Sequence, residues 1–153
     1  MTARIQFDVT RFNDVYKAMI GLSTVVHHST LEPALRELVK VRASQINGCG
    51  YCIDMHTKDA RLAGETEQRL YLLNAWREAP MYSQRERAAL AWTEAVTRLS
   101  DEEITDELYA ETRRAFSEEE IVTLTLAVVE INGWNRFAVA FKFVPGEYQP
   151  QKR

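Results

Sequence analysis

Apolar residues return every three or four positions along almost the whole chain, and this rhythm limits the fold more than any other feature of the sequence. Between Thr10 and His28 they fall at Phe12, Val15, Met19, Leu22 and Val26, one face of a helix. From Pro33 to Asn47 the pattern resumes at Leu35, Leu38, Val41 and Ile46, with proline suited to a first helical turn. Asn47-Gly48 interrupts it, and a third helix is expected from Cys49 to Leu62, closing at Ala63-Gly64. Thr66 is placed to cap a short helix through Trp76, ended by Ala79-Pro80.

Ser83-Gln84-Arg85-Glu86 and Ser117-Glu118-Glu119-Glu120 both have the Ser-x-x-Glu form of a capping box. The first opens a helix from Gln84 to Leu99; the second follows a helix from Thr105 to Phe116 and precedes a long apolar run, Ile121 to Val144. That run is rich in β-branched residues, which favour strand. The cap in front of it and the helical neighbours favour helix. The expected fold is therefore all-α, a single-domain helical bundle over residues 1–153, with a loose polar tail from Pro145 to Arg153.

With 153 residues, 46% of them hydrophobic, the chain can build a core without disulfides or a structural metal. A formal net charge of −3 argues against a nucleic-acid partner. No apolar stretch approaches the roughly 18 residues of a membrane span, so no membrane partner is expected. Arg4, Gln6 and Asp8 break up the N-terminus, which lacks a signal core, and a cytoplasmic location follows as the expectation.

One internal echo stands out. Ile46-Asn47-Gly48 recurs as Ile131-Asn132-Gly133 at an offset of 85, with Val39, Val41 and Ala43 matched by Leu124, Leu126 and Val128. Gln45 falls against Glu130, and Cys52 and His56 fall against Phe137 and Phe141. A degenerate repeat of one helix–turn–helix unit, with polar chemistry only in the first copy, would produce this pattern.

The chemistry concentrates in that first copy. The chain has two cysteines, Cys49 and Cys52, and His56 follows four residues after the second. If a helix starts near Cys49, positions i, i+3 and i+7 share a face. A thiol at a helix N-terminus meets unsatisfied N–H groups and the positive end of the dipole, which favour thiolate, the nucleophilic form. A second thiol one turn away can trap a sulfenic acid as a disulfide. His56 can move protons at neutral pH and is within reach of Cys52 directly or through one water.

Other readings compete. Cys49, Cys52 and His56 could hold zinc with Glu37 as fourth ligand, although a carboxylate beside two thiolates is an unusual structural set. Read alone, Glu37 is a solvated helix position paired with Arg36 or Lys40. His27-His28 look like a metal pair, but adjacent helical residues do not face each other. Trp76, Trp92 and Trp134 read as core or interface, Tyr51 as part of a site rim, and Asp101-Glu102-Glu103 as a solvated connection.

The run from Glu37 to His56 closely resembles the signature of alkylhydroperoxidase D-like proteins in the carboxymuconolactone decarboxylase superfamily. That signature has a glutamate twelve residues before the first cysteine, a CxxC pair, and a histidine four residues after the second cysteine. Glu37, Cys49, Cys52 and His56 match it position for position. Tyr51 stands where some peroxidase members carry histidine, while the decarboxylase branch generally lacks the cysteine pair.

The resemblance implies a thiol-dependent peroxidase with Cys52 as the peroxidatic thiol and Cys49 as a more exposed resolving thiol. Glu37 and His56 would form a proton relay. It also implies a hydroperoxide substrate, an external dithiol or disulfide-reductase electron donor, no cofactor, and a homo-oligomer, trimer or hexamer. A non-peroxidatic disulfide reductase or redox sensor would use the same cysteines, and a metal-binding or scaffold protein is the alternative of another class.

Overall fold

The computed structural model describes residues 2–101 and 103–151. Among these every regular element is helical: α1 (Asn13–His27), α2 (Pro33–Ile46), α3 (Gly50–Leu62), α4 (Glu67–Leu72), a 3-10 turn (Leu73–Ala75), α5 (Gln84–Thr97), α6 (Asp106–Ala115) and α7 (Glu118–Phe141). The all-α expectation holds, with ends shifted by a few residues. Helix α1 starts at Asn13 because the Asp8 carboxylate accepts hydrogen bonds from Thr10 and Arg11 N–H, tying that stretch into a turn. Asp101 and Glu103 are exposed, as a solvated connection requires, while Glu102 lies outside the described residues.

Both capping boxes form. Ser83 Oγ accepts from Glu86 N–H while Glu86 accepts from Ser83 N–H, and Ser117 and Glu120 repeat the exchange. Each such cap stabilises its helix by about 1 kcal/mol. The second holds α7 as helix over 24 residues despite its β-branched content, and burial of Ile121, Leu124, Ala127, Val128 and Ile131 adds to it. Packing therefore overrides strand propensity.

Helix α2 is the centre of the bundle and packs against α3, α5 and α7. Leu35 and Val39 join an apolar cluster with Val26, Trp92 and Leu124. Leu38 and Val41 face Leu73, Trp76 and Leu90. Ala43 meets Ile131 and the two cysteines. With apolar contacts on three sides, α2 loses the one-sided pattern of a surface helix. The polar residues caught inside are paired: Glu94, 2% exposed, accepts from Arg42, Trp76 and Arg77.

Two expectations need correction. The second copy of the repeat contains no turn, since α7 runs unbroken through Asn132-Gly133. Gly48 leaves the helix with φ +65°, whereas Gly133 stays helical with the Met19 side chain lying against its Cα. The two copies meet instead: Asn47 Nδ2 donates to Asn132 Oδ1 at 3.0 Å and to Asn135 Oδ1 at 2.8 Å.

The polar tail is also pinned rather than loose. Gly146 N–H donates to Asp54, Lys58 donates to the carbonyls of Gly146 and Tyr148, and the Tyr148 hydroxyl lies 2.8 Å from Asp59 Oδ1. The polar face of α3 supplies these bonds; Lys152 and Arg153 lie outside the described residues. No helix among the described residues is long and apolar enough to cross a membrane.

Candidate active site

The site is built on the turn between α2 and α3. Gly48 takes the left-handed conformation that an L side chain resists, and Cys49 N–H then returns to the Ser44 carbonyl at 2.9 Å. Asn47 is held by Asn132 and Asn135, and Asn135 in turn donates to Ser44, so the buried amides fix the turn against α7. Cys49 becomes the N-cap of α3, its sulfur accepting from Cys52 N–H at 3.3 Å.

Cys49 and Cys52 are joined as a disulfide, with Cα atoms 5.3 Å apart. The expectation that Cys49 is the more exposed thiol does not hold: the two are 1% and 2% exposed. The N-cap geometry folds the Cys49 side chain back toward Cys52 N–H and the apolar contacts of Ala43, Ile131 and Ala138. What distinguishes the two cysteines is the adjacent cavity of about 360 Å³, which Cys52 lines and Cys49 does not.

The other two expected residues stand on α3, one turn past Cys52, and on the neighbouring α2. His56, 5% exposed, places Nδ1 2.8 Å from Glu37 Oε2 on α2, and both line the same cavity as Cys52. Burial pushes the Glu37 carboxyl up, but the hydrogen bond from His56 and the charges of His56, Lys40 and Arg36 outweigh it and hold the group below its ordinary value. With Glu37 ionised, Nδ1 of His56 is the donor in that bond, which leaves Nε2 as the nitrogen that exchanges a proton.

Tyr51 lines the cavity too, its ring set edge-on to Phe143 at 5.4 Å, and burial pushes its phenol up. Trp76 and Trp92 are core residues, whereas Trp134 lines the cavity. His27 and His28 meet edge to face at the end of α1, their ring centroids 5.1 Å apart, and His27 reaches the cavity wall. Arg36 uses its guanidinium to hold the Val26 and His27 carbonyls at that helix end.

The zinc reading of the cysteine pair meets an obstacle in this oxidised form, since bonded sulfurs offer no thiolate. A different trio, Glu37, His56 and Asp59, brings three ligand atoms within 4.8 Å of one another. Its members already have partners: His56 bonds Glu37, and Asp59 bonds Tyr148.

Sequence reasoning missed the opposite wall. Ser23 Oγ donates to Glu130 Oε1 at 2.6 Å and accepts from Trp134 Nε1 at 3.0 Å, and Lys40 Nζ stands 3.6 Å from Glu130 Oε2. A signal was available: Glu130 is the single acidic residue in the apolar stretch 121–141.

Residues 13–95 match the carboxymuconolactone decarboxylase family. The YdfG protein of Bacillus subtilis, itself uncharacterised, is 46% identical over 124 residues, covering 81% of this chain and 84% of that one. The chain belongs to the carboxymuconolactone decarboxylase family. Within the family its likeness is to the alkylhydroperoxidase D-like members. The alkyl hydroperoxide reductase AhpD of Bradyrhizobium diazoefficiens is 32% identical over 76 residues, 40% of this chain and 42% of that protein. The solved structure of an Agrobacterium tumefaciens protein of unknown function, suggested to be an AhpD of antioxidant defence, superposes with a TM-score of 0.91. It is 40% identical and is covered completely, over 96% of this chain. The fold and the family of the decarboxylase-superfamily chain are thereby fixed, while its reaction is a question for the site.

Proposed function

We propose that the protein is a thiol-dependent hydroperoxidase that reduces an organic hydroperoxide with the electrons of Cys49 and Cys52. One observation carries the reading: Cys52, His56 and Glu37 border a single cavity, and the partner sulfur lies behind Cys52. In the reduced protein, His56, oriented by Glu37, takes the proton of the Cys52 thiol. The thiolate attacks the terminal oxygen of the peroxide; the S–O bond forms, the O–O bond breaks, and the alkoxide leaves as the alcohol with the proton from His56. Cys49 then attacks the Cys52 sulfenic acid, forming the S–S bond and releasing water. An external dithiol returns two electrons and two protons to the disulfide.

The two electrons pass from the cysteine sulfurs to the peroxide and are returned to sulfur by the dithiol, so this cycle calls for no resident cofactor. Need of a dithiol donor supports a reducing, cytoplasmic setting. The decisive experiment is stopped-flow mixing of the reduced protein with an alkyl hydroperoxide, with Cys52→Ser as control. Wild type is expected to consume one equivalent rapidly and Cys52→Ser none. Equal slow consumption by both rejects the reading.

A second reading, a disulfide reductase or redox sensor with the same cysteines, draws its support from Tyr51, which lines the cavity next to Cys52 where some peroxidase members carry histidine. Rapid thiol-disulfide exchange with a protein disulfide, together with no peroxide consumption, selects it. Metal analysis of freshly purified protein tests the metal-binding alternative.

A further inference from the structure

Glu130 is 2% exposed and lines the cavity that holds Cys52 and His56. Its two oxygens are unlike. Oε1 accepts a 2.6 Å hydrogen bond from Ser23, which is itself fixed by Trp134. Oε2 is, among the described residues, the one buried side-chain nitrogen or oxygen with no hydrogen-bond partner. The Lys40 ammonium stands 3.6 Å from it, close enough to balance its charge and too far to bond it. Buried polar groups are almost always satisfied, and an exception in a cavity wall calls for an explanation.

The surroundings say what would satisfy it. An ionised carboxylate oxygen only accepts, so the missing partner is a donor. A cation in that place meets Lys40 and an anion meets Glu130 itself, which leaves an uncharged hydroxyl or N–H. The space next to it is walled by Tyr16, Trp134, Phe143 and Ile20, and at about 360 Å³ it suits a small molecule with an aromatic or apolar body. The Tyr16 and Trp134 rings already meet edge to face at 5.9 Å, an arrangement that offers aromatic edges and faces to a third ring.

We propose that Glu130 is a substrate-anchoring residue: its Oε2 accepts a hydrogen bond from a hydroxyl or N–H on the substrate body, so that the cavity selects small uncharged aromatic compounds carrying such a donor. The word substrate here rests on the hydroperoxidase reading, which makes these compounds hydroperoxides; the anchor itself does not. Lys40 is its positioning partner, with its ammonium 3.6 Å from Oε2.

The test is binding of a matched pair to the oxidised protein, measured by isothermal titration calorimetry: phenol, and anisole, which has the same ring and no donor. Wild type should bind phenol about tenfold more tightly than anisole. In Glu130→Gln the amide oxygen can keep the Ser23 bond, and the amide nitrogen, a donor, then replaces Oε2, so the preference should fall to about onefold. Equal affinities in wild type overturn the proposal without reference to any variant, as does failure of both ligands to bind at millimolar concentration. Persistence of the preference in a Glu130→Gln protein that melts like wild type also overturns it.

Because nothing in this measurement turns over, it separates from the hydroperoxidase reading. A protein that discriminates phenol from anisole but leaves peroxides untouched keeps the anchor and loses the activity. One that reduces peroxides yet shows no discrimination does the reverse.

Discussion

Nδ1 of His56 and Oε2 of Glu37 lie 2.8 Å apart, and this contact ties α3 to α2 at the wall of the cavity that Cys52 faces. It fixes the imidazole ring and its tautomer together. In the proposed relay a carboxylate there would serve His56 better than a neutral amide, because it would stabilise the imidazolium formed as the thiol gives up its proton.

Glu37→Gln should therefore slow the first turnover with peroxide by roughly 10²-fold, within the range for general acid–base groups. His56→Ala should slow it at least as much. Single-turnover stopped-flow measurements check both, and rates within threefold of wild type remove the relay from the mechanism.

The pH dependence of the pair has a definite sign. Glu37 has its carboxyl held below the ordinary value in the folded protein. Its contribution to stability is then complete above the unfolded carboxylate pKa and is lost as pH falls through the lower folded value. Glu94 acts in the same direction: burial pushes it up, but the bonds from Trp76, Arg77 and Arg42 outweigh this and hold it down. Urea midpoints should be flat from about pH 5 to 7 as far as these two groups are concerned, then fall below about pH 4.5. Glu94→Gln should flatten part of that acid limb.

Glu94 also carries a structural load, as a 2%-exposed carboxylate shared by Arg42, Trp76 and Arg77. Removing one member of a buried charge group strands the others. Glu94→Ala should cost about 3–5 kcal/mol in urea unfolding, the magnitude for a broken buried pair. A loss below about 1 kcal/mol would mean that Arg42 finds water instead.

How much of this was legible in the sequence follows from what each feature depends on. Caps are local, so Ser83 and Ser117 announced their helices through the glutamate three residues on. The candidate-site run from Glu37 to His56 is also local, spanning one helix, one turn and the start of the next. Burial of Cys49 was not legible, because it depends on Ala43, Ile131 and Ala138 from α2 and α7. Ser23, Lys40 and Glu130 come from three helices, and no spacing rule links them. The polar tail read as loose because its partners, Asp54, Lys58 and Asp59, lie some 90 residues earlier.

Association is predicted from the outer face of the bundle. Val122, Val129 and Val139 on α7 are 70%, 49% and 49% exposed, and Val15 and Val25 on the adjoining α1 are 47% and 58% exposed. Apolar side chains gathered on two packed helices mark a surface that another subunit can cover. Light scattering coupled to size exclusion should find a trimer or hexamer. A persistent 17.6 kDa species at micromolar concentrations defeats this expectation.

The two Asn-Gly pairs give the sharpest stability contrast. Gly48 has φ +65° and open space where a Cβ would sit, so an alanine there suffers backbone strain alone. Gly48→Ala should cost about 1 kcal/mol or somewhat more, the penalty of the left-handed conformation for an L residue, while Gly48→Asn should cost less. Gly133 is helical, and a Cβ there would come within 2.8 Å of Met19 Cε. That contact is with the flexible end of a side chain, so moving it offsets the roughly 0.8–1 kcal/mol that alanine gains over glycine within a helix. Gly133→Ala should leave the urea midpoint almost unchanged. If the two substitutions instead cost the same, the turn after α2 is not held by Gly48, and the placement of Cys49 as N-cap must come from the Asn47–Asn132–Asn135 amides alone.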